Sequence, residues 1–506
     1  MSFIARLLGL QPAPVAPILH PTDEVVQMHL FDNQDVMRSY DLFWTFRFEE
    51  VLDADMLGKS LSDLIETGDW RKLGGRYRLR LIIGYKSDGK LEVHIPRPFT
   101  PERPPIYFTK EHFDISIAEH PLASTFPKAG ENAQLFPSAR DFAPLAYGPG
   151  APTCMDDYLR GDFPMLSLHV VTFMDATLVS VNWNHTMSDL GGFAAILKGW
   201  VACLAGKEPP EFKSMDDSMQ PLYDNPPEGT PLIADSILSG WRKVTWILQF
   251  LWDQFWTTSA FQSHTICIPK QRMDALVQGC REEAAEAAST ISSDPFISEG
   301  DVLMSLAARL AAWSLPAGTG RTVSTLGAVD PRPRIPAFVN PDAAYVQNAP
   351  CGLLVMQSAS EILTKPVGEL ALDIRKALAE QTTGSQMRLA AAVSAEALRA
   401  TGSLPVMGDA TSYLTVYSNW SKAGLLDIVD FSRAVTSSSK VGRTRQRKQG
   451  KLGRPVFFHS RSLTMGKFTT SMLLVHGRDR NGDMWFGGDS SPYAWGKLVD
   501  YINSLE

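Results

Sequence analysis

The chain is poor in the features that would staple or anchor it. Its five cysteines, Cys154, Cys203, Cys267, Cys280 and Cys351, are spread over 506 residues. No CxxC occurs, so neither a disulfide framework nor a thiolate zinc site is indicated, and no metal is expected; a reducing cytosol is the expected setting. No stretch approaches the roughly 18 uninterrupted apolar residues of a membrane-spanning helix. The opening MSFIARLLGLQPAPVAP has an arginine inside its short apolar run and soon becomes proline-rich, so it does not read as a signal peptide. Basic excess is lacking too: 48 Lys and Arg stand against 55 Asp and Glu, a net charge of −7, which argues against general nucleic-acid binding. G-x-S-x-G is absent, so Ser188 is not the nucleophile of a hydrolase elbow.

What is present reads as an ordinary globular protein, 44% hydrophobic and 20% charged, and too long for one core, so two domains are expected. Residues 76–85 and 90–96 read as strands joined at Ser-Asp-Gly. Residues 53–68 carry apolar side chains at helical spacing and end at glycine. Two strands are expected in 165–183, meeting at an Asp-containing turn, followed by a helix over 189–206 closed by Gly206. A proline-rich polar connector follows at 207–233. A helix over 297–315 has Ser298 as its N-cap. Strand-like runs follow at 322–329, 412–417, 454–459, 470–476 and 483–487. The result is two α+β halves of similar size.

The stretch VSVNWNHTMSDLGGF, residues 179–193, carries the chemistry. Val179, Val181 and Trp183 alternate with Ser180, Asn182 and Asn184, the period of a strand. The helical pattern starts near Asp189, so His185 falls at a strand-to-helix junction, where rigid elements hold loops that carry function. A neutral imidazole there can take a proton from an alcohol or amine near pH 7. A carboxylate four residues on can fix the loop without touching that proton. Gly191 and Gly192 permit another backbone or a ligand to approach closely. His185 is the one histidine of ten followed by Asp at this spacing. A hydrogen-bonded core histidine is the competing reading of the motif taken alone. His169, in a strand-like run, reads as a core residue.

Three segments in order then resemble the BAHD acyltransferases of the chloramphenicol-acetyltransferase-like superfamily, closest to the fungal natural-product branch: NHTMSD (184–189); AVDPRPRIP (328–336) with YVQNAP (345–350); and YSNWSKAGLLDIVDFS (417–432). The similarity extends to the opening HPTDEVVQMHLFDNQ. Two departures stand out. Leu190 takes the place of the usual glycine after the aspartate, and the late motif reads Asp430-Phe431-Ser432-Arg433 where the family has Asp-Phe-Gly. The resemblance implies an α/β (α+β) fold of two chloramphenicol-acetyltransferase-like domains with mixed sheets and a tunnel between them. It divides the chain into residues 1–206, a crossover at 207–264 and residues 265–506. It implies acyl transfer, most simply O-acetylation of a hydroxylated apolar secondary metabolite, in a ternary complex with acyl-CoA (acetyl-CoA) as co-substrate and no permanently bound cofactor.

In that reading His185 is the general base and passes its proton on to the leaving thiolate. Asp189 turns away and pairs with an arginine, Arg332 first and Arg334 second. Trp420 and Ser418 stabilise the oxyanion, while Asp430 and Phe431 are structural. Surface ion pairing is the competing reading for Arg332 and Arg334, and plain core packing for Trp420. The segment 439–454 holds seven Lys or Arg and no acid. Arg443, Arg445 and Lys448 within it are candidates for the phosphates of CoA, a solvated loop being the alternative. The tryptophan-rich 241–261 reads as an amphipathic helix packing the crossover, as an aromatic wall for the acceptor or as a membrane-interface helix. A soluble cytosolic monomer without nucleic-acid partners is expected. Condensation-type chemistry on a carrier-bound donor, and a catalytically silent ligand-binding relative, remain open.

Overall fold

The computed structural model describes residues 19–83, 86–288, 296–336, 339–436, 452–463 and 469–505. In chain order the strands among them are β1 (Glu24–Gln27), β2 (Asp41–Phe48), β3 (Arg76–Ile83), β4 (Lys86–Ile95), β5 (Tyr107–His112), β6 (Gln134–Phe136), β7 (Leu166–Thr172), β8 (Thr177–Asn184), β9 (Gln262–Ile268), β10 (Thr322–Val329), β11 (Cys351–Ser358), β12 (Tyr413–Asn419), β13 (Phe457–Ser462), β14 (Ser471–Arg478) and β15 (Met484–Ser490). The longer helices are α1 (Ala54–Glu66), α2 (Leu190–Leu204), α3 (Gly240–Trp256), α4 (Lys270–Ala288), α5 (Glu299–Trp313), α6 (Val367–Gln381), α7 (Gly384–Thr401) and α8 (Pro492–Asn503).

Three sheets organise the described residues. A five-stranded sheet runs β13-β2-β8-β7-β5, a seven-stranded sheet runs β11-β10-β12-β14-β15-β9-β6, and β1-β4-β3 form a small antiparallel sheet. Both large sheets are mixed, with β5 parallel to β7 and β12 parallel to both β10 and β14. Each borrows from the other half of the chain. β13, from the C-terminal half, lies antiparallel to β2, and β6, from the N-terminal half, completes the edge beside β9. The halves are thereby fastened by backbone ladders as well as by side chains.

The alternation of β8 decides which side chains go where. Val179, Val181 and Trp183 join Trp44 and Phe46 in a core closed by α1 and α2, where Trp44 and Phe193 pack against Trp183. Asp53 caps α1 by accepting the Met56 amide. The second core lies under α5, whose Ser298–Asp301 capping box matches the expected start.

Three sequence expectations move. Ser87-Asp88-Gly89 lies within β4 instead of forming the turn: the β3–β4 register shifts there, and Gly89 adopts φ 78°, a bulge conformation glycine supplies without strain. The strand expected at 454–459 begins at Phe457, because Val456, Phe457 and Phe458 follow a turn at Gly453 (φ 74°) and pair from Arg47 onward. The segment 240–256 is helical, but most of its aromatic side chains do not pack on the crossover; only Trp246 and Asp253 are buried. His169 is buried in β7, its Nδ1 2.8 Å from Thr109 Oγ1.

Candidate active site

β8 ends at Asn184 and α2 begins at Leu190, so the loop carrying His185 is a tight five-residue junction. It is wired at almost every step. The Asn184 side chain donates to the Arg38 carbonyl (3.0 Å) and Asp41 Oδ1 (3.1 Å), and its Oδ1 accepts the Thr186 amide and hydroxyl. The His185 amide donates to the Tyr40 carbonyl at 2.8 Å. Asp189 is the N-cap of α2 and accepts the Gly192 amide at 2.9 Å, a cap worth about 1 kcal/mol.

The Asp189 side chain is engaged by Arg332. The guanidinium donates to both carboxylate oxygens, at 3.0 and 3.2 Å, and the Ala349 amide adds a further bond to Oδ2 at 3.0 Å. Arg332 also donates to Asp330 Oδ1 and to the Gln347 carbonyl (2.6 Å). Arg334 does not take part: it bonds Thr382 Oγ1. The glycine pair accounts for itself here. A Cβ on Gly191 would stand 2.6 Å from Arg332 Nη1, and one on Gly192 would stand 2.1 Å from the Val346 carbonyl oxygen. The approaching group is the chain's own segment 345–350 together with Arg332.

That segment touches the loop residue by residue. Asn348 Nδ2 donates to the His185 carbonyl (3.0 Å) and to Asp32 Oδ1 (2.8 Å), and the Asn348 amide also donates to Asp32 Oδ1 (2.7 Å). Behind Asp32 lie His29 and buried Lys72, whose ammonium donates to the Ser214 carbonyl. Burial pulls the Lys72 pKa down to about 8, against the pull of Asp32, Asp217 and Asp216. Asp32, Lys72 and Tyr40 were not among the candidates from sequence. No spacing rule joins Asp32 to Asn348 across 316 residues, and the segment HLFDNQ enters the sequence reading only as part of an overall resemblance.

His185 is half-buried, and its Nδ1 is buried without a hydrogen-bond partner. Desolvation lowers its pKa below the usual 6.5, opposed by its own carbonyl, Asp189, Asn348 and Asp32. The imidazole is therefore neutral at pH 7, the state a general base needs. The Tyr40 ring meets it edge-on at 6.5 Å between centroids.

Ser418 lies near the end of β12, opposite Leu474, a side chain packed against the N-terminal core. Trp420 follows, with its ring against Trp44 (4.6 Å) and His476 (5.2 Å). Its indole N–H donates to Ser418 Oγ at 2.8 Å. The two groups expected as parallel donors are thus arranged in series, with the serine hydroxyl hydrogen left to point elsewhere. Phe431 is fully buried between Phe48 and Trp200, and Asp430 pairs with Arg454 at 2.9 Å. Gly453 crosses so close to Ser432 that a Cβ there would meet its amide nitrogen at 2.3 Å. Arg443, Arg445 and Lys448 lie outside the described residues.

A second polar layer lies between the large sheets. Arg461 of β13 forms a buried ion pair with Asp489 of β15, which also accepts the Ser263 hydroxyl at 2.6 Å. Both charges act on the Tyr40 hydroxyl, whose pKa burial raises. Around them His459 and His476 are buried with neither ring nitrogen bonded, and Tyr147 Oη and Arg140 Nη2 also lack partners. Such orphaned groups are uncommon in a filled protein interior. Among the described residues no cluster of His, Cys, Asp and Glu could hold a metal ion.

A junction histidine clamped through an aspartate–arginine pair, set between two mixed sheets that exchange strands, is the architecture of a histidine-dependent acyltransferase. The chain belongs to the Transferase family of BAHD-type enzymes, whose profile matches residues 152–442. It is 32% identical over 499 residues to the O-acetyltransferase PaAT-2 of Phomopsis amygdali, covering 96% of this chain and 99% of that one. It is also 32% identical over 501 residues to the acetyltransferase adrJ of Penicillium rubens, covering 97% and 98%. The fold is similar to that of F. sporotrichioides TRI101 complexed with coenzyme A and T-2, with a TM-score of 0.62 at 14% identity, over 94% of this chain and 97% of that one.

Proposed function

We propose that the protein transfers an acetyl group from acetyl-CoA to a hydroxyl of a largely apolar secondary metabolite, with His185 as the general base. Full-length similarity to acetyltransferases supports the donor and the reaction. The observation that carries the reading is the neutral imidazole of His185 on a junction residue whose own amide and carbonyl are both hydrogen-bonded.

In this mechanism His185 accepts the proton of the acceptor hydroxyl as its oxygen attacks the thioester carbonyl carbon. The tetrahedral oxyanion takes a hydrogen bond from Ser418 Oγ–H, which is polarised because its own oxygen already accepts from the Trp420 indole. The C–S bond then breaks, and the imidazolium returns the proton to the CoA thiolate. Asp189 moves no proton: with both oxygens engaged by Arg332 and by two backbone amides it holds the loop. The acceptor and donor would meet in a passage between the two halves, residues 1–206 and 265–506. The unbonded polar groups on the Arg461–Asp489 layer suit an oxygenated acceptor there. Arg443, Arg445 and Lys448 are assigned to the CoA phosphates on charge alone.

The test is incubation of the purified protein with acetyl-CoA and a panel of hydroxylated terpenoids and polyketides, reading free thiol release and product mass. Acetylated product from the wild type and none from His185→Ala is the expected result. Turnover with carrier-bound thioesters but not with acetyl-CoA would overturn the donor assignment, and no turnover with either would overturn the enzymatic reading.

A further inference from the structure

Helix α3 is fastened along one edge only. Trp246 and Asp253 are buried, and Trp246 stacks on Phe250 at 5.1 Å. Asp253 accepts two parallel bonds from Arg321, both at 2.9 Å, and also accepts at its carbonyl the amides of Thr257 and Thr258. Gln254 exchanges bonds with the backbone of Thr469. The helix is therefore held at its middle and its C-terminal end, and among the described residues its other face is a fixed part of the surface.

That free face is apolar to an unusual degree. Of ten exposed positions in α3, eight are Trp241, Val244, Ile247, Leu248, Leu251, Trp252, Phe255 and Trp256, and the other two are Gly240 at its start and Lys243. Trp241 is 73% exposed, Phe255 74% and Trp256 71%. At about 100° per residue the eight fall within roughly half of the helix circumference. Arg242 and Lys243 stand just outside that arc, one at each rim. The sequence GWRKVTWILQFLWDQFW contains one acid, Asp253, and that charge is turned inward and paired. Scattered exposed apolar residues are normal on a soluble protein; one continuous aromatic face is a contact surface.

We propose that α3 docks the protein on an anionic lipid bilayer, lying in the plane of the interface with its tryptophan face among the headgroups and upper acyl chains. The face offers tryptophan at both ends, where ring edges meet headgroups, and cations at both rims, where lipid phosphates and carboxylates lie. Among the described residues no helix is long and apolar enough to cross a membrane, so the contact is peripheral. A second copy of the chain is the poorer occupant. It presents the same face, with no carboxylate for Arg242 or Lys243, and the partner that complements those cations is a surface carrying its own negative charge. The proposal is independent of the reaction assigned to His185.

The test is flotation of the full-length protein with phosphatidylcholine vesicles, with and without phosphatidylserine. The wild type is expected to float, more strongly when phosphatidylserine is present. The triple variant Trp241→Ser, Trp252→Ser, Phe255→Ser is expected to lose at least about tenfold in vesicle partitioning with an unchanged melting transition. The double variant Arg242→Glu, Lys243→Glu is expected to lose the phosphatidylserine preference. A wild type that stays with the unbound fraction, or a triple variant that floats like the wild type, would overturn the proposal. So would a concentration-dependent dimer that the triple variant converts to monomer without any vesicle binding.

Discussion

Two polar regions join the halves of this molecule, and they are built on opposite principles. At the His185 loop the anchoring is nearly complete. The Asp189 carboxylate is held by Arg332 and two backbone amides, Asn348 ties His185 to Asp32, and the unmet buried atoms of the network are His185 Nδ1, Arg332 Nε and Asn348 Oδ1. At the Arg461–Asp489 layer one buried ion pair sits among side chains that are largely unbonded: His459, His476, Tyr147 and part of Arg140. The first region spends its hydrogen bonds on holding a reactive group still. The second buries polar side chains without protein hydrogen-bond partners, at a cost in stability that rises when they gain charge.

The contrast can be broken most severely at the imidazole. His185→Ala is expected to lower kcat by about a thousandfold, within the range for removal of a general base, while the melting transition moves little. Steady-state rates and calorimetry together check this. Asp489→Ala should do the reverse: stranding Arg461 in the interior costs about 3–5 kcal/mol of stability, read by denaturant titration. Ser418→Ala is expected to cost about a hundredfold in kcat with KM for acetyl-CoA nearly unchanged.

Acid sharpens the comparison further. His459 and His476 have their pKa values pushed down to about 3 by burial. Folded, they stay neutral at pH 5; unfolded, with values near 6.5, they bind protons there. Proton uptake then favours the unfolded chain, so stability falls as pH drops below about 6.5, by roughly 2 kcal/mol per histidine at pH 5. The smallest effect is expected from His459→Phe. The ring sits among Phe43, Phe126, Phe142 and Phe457, so the change should be near neutral at pH 7.5 and should remove about half of that acid loss.

Much of the first region was legible in the chain. The period-two run to Trp183, the helical pattern starting near Asp189 and the glycine pair place His185 at a strand–helix junction, and the segments at 328–336 and 345–350 are those that close on it. The structure pairs Asp189 with Arg332, the arginine ranked first from the resemblance, although no local pattern separates it from Arg334. Arg332 and Arg334 are two residues apart in a short 3₁₀ turn, and only the turn's orientation sends one to Asp189 and the other to Thr382. The second region was invisible, because Arg461 and Asp489 meet through β13 crossing into the N-terminal sheet, a pairing no local pattern encodes. The aromatic helix was legible as a helix, with packing on the crossover, an acceptor wall and a membrane-interface face left open as its role. Amphipathic periodicity fixes that one face is apolar, and only the packing of Trp246 and Asp253 shows that the smaller, polar-containing edge is the one turned inward.

The central claim is that a neutral His185 accepts the acceptor's proton. The direct measurement is the pH dependence of kcat/KM, using an acceptor found in the acetyl-CoA screen. A single-proton decline on the acid side is predicted, with its midpoint below 6.5 because burial lowers the His185 pKa. A profile that stays flat through pH 5 in protein shown to remain folded, or an acid limb that survives unchanged in His185→Ala, would contradict it.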